Sequence, residues 1–148
     1  MINEILNGIM AAIHEAFPDE KYTIYPEKIP QDLETPAFFV KCINPSITRF
    51  SGLYGENTRK ETSNLFTVQY FPEESETYMD FNTVFEKLAD ALAFIEVNGN
   101  PVMGYDLELK NSDEVFTVTI NYDVPIIEKV DTPLQYELTQ KEGVIIGG

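Results

Sequence analysis

The chain has 148 residues, 43% hydrophobic and 24% charged, which suits one soluble domain with a proper core. Its 25 acidic residues against 10 basic ones give a formal net charge of −15, which argues against nonspecific gripping of nucleic-acid phosphates. A single cysteine, Cys42, excludes an internal disulfide and a cysteine-built zinc site. The opening lacks a basic leader and no apolar run nears the ~20 residues of a membrane span, so a cytoplasmic setting is expected.

Ile2, Ile5, Leu6, Ile9, Ile13, Ala16 and Phe17 recur at helical spacing and predict an opening amphipathic helix, stopped at Phe17-Pro18-Asp19. Tyr22 to Tyr25 is short and β-prone. Pro26 to Pro30 and Thr35-Pro36 read as an ordered loop. Ala37 to Ile43 is the first long strand, resuming after Pro45 as Ser46 to Phe50, and its proline suggests an edge or a bulge. Ser51 to Ser63 reads as a long hairpin tip. Leu65 to Phe71 is the return strand, with Phe66, Val68 and Tyr70 alternating against Thr67 and Gln69.

The strongest signal is Thr77 to Val97. Tyr78, Phe81, Val84, Phe85, Leu88, Leu92 and Ile95 draw one apolar stripe along a helix, opposite Asn82, Thr83, Glu86, Lys87 and Asp90. Thr77 and Asp80 have capping-box spacing, and Asn98-Gly99-Asn100-Pro101 is expected to end the helix. Met103, Tyr105, Leu107 and Leu109 then alternate with polar residues. After a turn at Asn111-Ser112-Asp113, so do Phe116, Val118, Ile120, Tyr122 and Val124, which makes a hairpin with one buried face. These elements predict an α+β fold: two helices packed on one face of a mostly antiparallel four- to five-stranded sheet. Residues 1–127 form the domain and 128–148 an extended C-terminal arm. Leu134, Tyr136 and Leu138 alternate in that arm, and Val144-Ile145-Ile146 forms an apolar stretch that needs cover. Its own sheet could supply the cover, or a neighbouring subunit could.

No catalytic, cofactor-binding or metal-binding constellation is expected. His14, the one histidine, has no patterned nucleophile or orienting partner. The acidic cluster Glu73-Glu74-Ser75-Glu76 sits where negative charge complements a helix start. Gly52 and Gly55 lack the lysine-serine signature of a phosphate loop. Arg49, Arg59 and Lys60 make the first hairpin tip basic in an acidic chain, and Phe50, Leu53 and Tyr54 add apolar groups. Such a tip is either a docking element or a solvated loop.

The opening helix, the stretch PAFFVKCINPSITRFSGLYGENTRKETSNLFTVQYFPE, the helix behind it and the hairpin YDLELKNSDEVFTVTINYDVPI together resemble the phage tail terminator family. Its members occur in prophages and phage-derived contractile particles of Gram-positive bacteria, and the resemblance covers residues 1 to about 127. It implies a small α+β subunit of a six-membered ring in a virion or phage-tail-like particle, assembled in the bacterial cytoplasm. Such a ring caps the completed tail tube, stops tube polymerisation and offers a surface to sheath and neck or collar proteins, without sequence-specific nucleic-acid binding, membrane or cofactor. The family brings no catalytic residues to carry over. A head–tail connector completion protein is the neighbouring alternative, and a small ligand-binding domain or enzyme a more distant one.

Overall fold

Eight elements follow one another: α1 (Ile2–Ala16), β1 (Thr23–Pro26), β2 (Ala37–Ser51), β3 (Asn57–Phe71), α2 (Tyr78–Ala93), β4 (Phe94–Val97), β5 (Asn100–Ser112) and β6 (Val115–Lys129). The computed structural model describes residues 1–26, 28–51, 57–112 and 115–129. No helix among them is long and apolar enough to cross a membrane. The strands form a six-stranded sheet in the order β1-β2-β3-β6-β5-β4. β1 runs parallel to β2, whereas β4 with β5 and β5 with β6 are antiparallel.

Packing divides the chain into two compact units. The first, Met1–Ser46 with Thr62–Val124, holds both helices and the core. From α1 it buries Ile5, Leu6, Ile9 and Ile13, and from α2 Phe81, Val84, Leu88 and Leu92. These meet the inward residues Phe38 and Val40 of β2, Phe66, Val68 and Tyr70 of β3, and Phe116, Val118, Ile120 and Tyr122 of β6. Aromatic rings tie helices to sheet: Phe17 lies 4.9 Å from Phe38, and Phe81 stacks on Phe116 at 3.4 Å between centroids. Each such side chain contributes roughly 1.5–3 kcal/mol of burial, so the two apolar stripes hold this unit together. In the second unit, Ile47–Glu61 with Pro125–Gly148, the described residues are the outer ends of β2, β3 and β6.

Several expectations hold. Thr77 and Asp80 form the full capping box at the start of α2. The polar face of α2 is exposed, and β3 and β6 alternate as read. Pro45 lies on the part of β2 beyond Val40, which β1 does not cover, so no ladder bond to β1 is lost there.

Others are corrected. The sheet has six strands and is mixed, because the β-prone Tyr22–Tyr25 region supplies a parallel edge and because the predicted long helix stops early. At Phe94 the backbone turns extended (φ −138°, ψ 124°) and the chain passes straight into β4, where Ile95 and Val97 point inward as strand residues. Asn98 (φ 53°) and Gly99 (φ 82°) are then a two-residue hairpin turn of the Asn-Gly kind, with Val97 facing Asn100. Tyr78, expected in the buried stripe, is 68% exposed, its ring edge-on to Phe116 at the first turn of α2. The predicted tip Ser51 to Ser63 is already strand from Asn57 onward. Its polar Thr62 and Asn64 are buried and donate hydrogen bonds to the Val124 and Tyr122 carbonyls at 3.3 and 3.4 Å. The predicted C-terminal arm lies outside the described residues from 130 onward.

In β5 the expected inward row fails at Met103, which is 59% exposed, and at Tyr105, opposite Asn121, whereas Leu109 lies opposite the inward Val118 although it is 38% exposed. Asp106 takes a left-handed conformation (φ 54°), and the register against β6 slips by one between Tyr105 and Glu108. This is a β-bulge, and it exchanges the faces of the two halves of the strand. Before it, Gly104 is the inward residue, opposite Tyr122. A Cβ at Gly104 would lie 2.5 Å from Ile120 Cδ1, and 2.8 Å from both the Leu92 carbonyl oxygen and the Tyr122 ring.

Gly104→Ala is therefore expected to lower unfolding stability by about 1–3 kcal/mol in chemical denaturation, by overpacking. A second outcome concerns pH. Burial pushes the phenols of Tyr70 and Tyr122 well above the ordinary tyrosine value, helped at Tyr70 by its hydrogen bond to Glu76. Both stay protonated in the folded state while the unfolded chain ionises near about pH 10. The stability they lend is whole below that pH and is lost as pH rises beyond it. Tyr122→Phe should flatten this alkaline loss when denaturation midpoints are compared from neutral pH upward.

Candidate assembly surface

The densest polar centre fastens the loop between β3 and α2. Tyr70 donates its hydroxyl proton to Glu76 Oε2 at 2.6 Å, and the Glu73 amide donates to the same oxygen at 3.1 Å. Lys21 pairs with Glu73 at 3.5 Å and lies 5.3 Å from the Tyr22 ring centroid. Glu76, read from sequence as one of a run of helix-start acids, is thus the acceptor that pins this loop to the sheet. Among the described residues no three His, Cys, Asp or Glu side chains are grouped to hold a metal ion. His14 is exposed on α1, and burial pushes the half-buried Cys42 thiol up, towards its protonated form.

The surface is where apolar groups remain. Phe94 of β4 and Met103 of β5 face each other across the strand pair, 63% and 59% exposed, on the side of the sheet away from the helices. Near them Tyr105 donates to the Asp123 carboxylate at 3.0 Å. Ile43 of β2 is 45% exposed. Lone exposed apolar residues are common; these two form a cross-strand pair of large ones.

Of the residues singled out in the sequence, Arg49 is exposed on β2 and Lys60 half-buried on β3, both in the second unit. Phe50 and Arg59 lie on the same two neighbouring strands. Leu53, Tyr54, Leu134, Tyr136, Leu138, Val144, Ile145 and Ile146 fall outside the described residues. The Phe94–Met103 pair was missed, although a two-residue Asn98-Gly99 turn fixes that register once it is recognised as a hairpin.

Beside the same strand, α1 comes unusually close. A Cβ at Gly8 would lie 2.6 Å from the Glu96 carbonyl oxygen, so only glycine fits there without displacing helix or strand. A groove of about 480 Å³ opens between α1 and β4, lined by Gly8, Ala11 and Ala12 on the helix and by Phe94 and Glu96 on the strand.

The polar centre thus anchors a loop, and large apolar groups stay exposed on a sheet face. The phage tail terminator protein family matches residues 4–133, and the chain belongs to that family, a structural family of tail completion. No curated protein matches the chain.

Phe94→Ser combined with Met103→Ser should cost less than about 1 kcal/mol of folding stability, since both side chains are open to water and lose only a cross-strand contact. If this face docks, the same pair of changes should reduce co-sedimentation with assembled tails while denaturation midpoints stay close to the parent chain.

Proposed function

We infer that the protein closes the end of a phage-type tail tube as a ring, terminates tube growth, and presents its far side to neck or sheath proteins. Membership of the tail terminator family supports the tail-completion role. The observation that carries the finer reading is the distribution of apolar surface. Both helix stripes are used inside the first unit, while Phe94 and Met103 stay open on the outer sheet face. Ring closure requires a head-to-tail contact, in which each copy offers two different surfaces. The outer face at β4–β5 is one, and the basic strand ends with Arg49, Phe50, Arg59 and Lys60 are a second. Six copies, a contractile particle and a Gram-positive bacterial host are the arrangement the family resemblance favours.

The net charge of −15 per subunit fits the same role. A lumen lined by carboxylates repels phosphate, so DNA would pass a ring of such subunits without adhering.

Electron microscopy of the purified protein mixed with its tube protein is the direct test. Rings, or rings seated on tube ends with tube lengths no longer growing, are expected. A protein that stays monomeric, leaves tubes open-ended and binds only the connector would overturn the reading in favour of a neck protein.

A further inference from the structure

The groove between α1 and β4 has a floor and a rim of different chemistry. Gly8, Ala11 and Ala12 make the floor, and the exposed ring of Phe94 stands at its side. Glu4, Glu15 and Glu96 make the rim, and the lining carries no basic side chain. Glu4 pairs with the N-terminal ammonium at 2.8 Å. Neither Glu15 nor Glu96 has an ion pair among the described residues. The cleft beside the loop between β3 and α2 differs, because it holds Lys21 and Lys87 with its acids, and Glu73 and Glu76 there bond to Lys21 and Tyr70. An aromatic ring and two uncompensated carboxylates over an apolar floor suit a flat, weakly hydrated cation, which describes guanidinium better than ammonium.

The chain carries two arginines among its 10 basic residues, Arg49 and Arg59. Both lie in the second unit, on the neighbouring strands β2 and β3. Arg59-Lys60 is also the one place where two basic residues adjoin in the sequence. Copies that each carry a net charge of −15 repel one another, so a contact between them gains most where it sets such a basic place on an acidic one.

We propose that the strand ends carrying Arg49 and Arg59 in one copy dock into the α1–β4 groove of the next copy, with an arginine over Phe94 and within reach of Glu15 and Glu96. Its methylene stem covers the floor that Gly8, Ala11 and Ala12 leave low. The contact rests on the ring reading above and gives that ring its joint. Groove and strand ends are two different surfaces carried by every copy, as head-to-tail closure demands.

Charge exchange in the full chain tests it. One variant carries Arg49→Glu with Arg59→Glu, and the other Glu15→Lys with Glu96→Lys. Each alone should lose self-association, its apparent dissociation constant rising about tenfold or more in sedimentation velocity. An equal mixture of the two should regain it, because every strand end then meets a groove of opposite sign. Ala11→Trp fills the groove without changing charge and should also prevent association; it decides alone if a charge variant fails to show the parent's unfolding midpoint. Lys110→Glu, an exposed change of charge elsewhere, should associate as the parent does. The contact is overturned if either charge variant or Ala11→Trp associates normally, if the mixture regains nothing, or if Lys110→Glu loses as much. Micrographs of the parent, alone and with tube protein, keep the two readings apart. A parent without rings removes the ring reading and this contact with it, whereas rings that survive the variants remove the contact alone.

Discussion

The fold turns on the junction of Leu92, Gly104 and Tyr122. Helix α2 stops one residue after Leu92, and the Leu92 carbonyl, left without an intrahelical partner, accepts the Tyr122 hydroxyl proton at 2.5 Å. Gly104 is the inward residue of β5 beside them, and its missing side chain lets helix and sheet close. Because α2 runs into β4 without a loop, this one point sets where the edge strand begins. It thereby sets which side of Phe94 meets water.

From that point the division of labour follows. Apolar stripes on both helices meet the inward rows of β2, β3 and β6, and the Tyr70–Glu76 bond ties down the loop that launches α2. Lys21, Glu73, Glu76, Asp80 and Lys87 line a cleft beside that loop. Among the described residues, a few large apolar groups stay exposed on a sheet face. The chain belongs to a family whose work is completing a tail.

Much of this was legible in the sequence, and the failures have physical causes. Period-2 rows such as Phe66, Val68 and Tyr70, and the helical stripe from Phe81 to Leu92, read directly because one face of each element is buried. The strand Phe94–Val97 did not, since Ile95 continues the helical spacing by coincidence and only the Asn98-Gly99 turn argues otherwise. Thr62 and Asn64 hid the start of β3, because buried polar residues bonded to a neighbouring strand look like loop residues in a sequence. The exposed Phe94–Met103 pair was the least legible part. Only the register of β4 on β5 brings those two side chains opposite each other.

The bulge at Asp106 bears on how this chain can change over time. One surplus residue keeps two half-strands of opposite parity in a single ladder, one presenting Gly104 to the helices and the other Leu107 and Leu109. Losing that residue would leave an even alternation with Gly104 still opposite Tyr122 and Leu109 still opposite Val118, whereas flattening the bulge with every residue kept would bring the Tyr105 phenol into the space reserved for a hydrogen atom. A single-residue deletion at the bulge should therefore be tolerated better than one elsewhere in the strand, and substitutions on the outer side, at Phe94 and Met103, better than either.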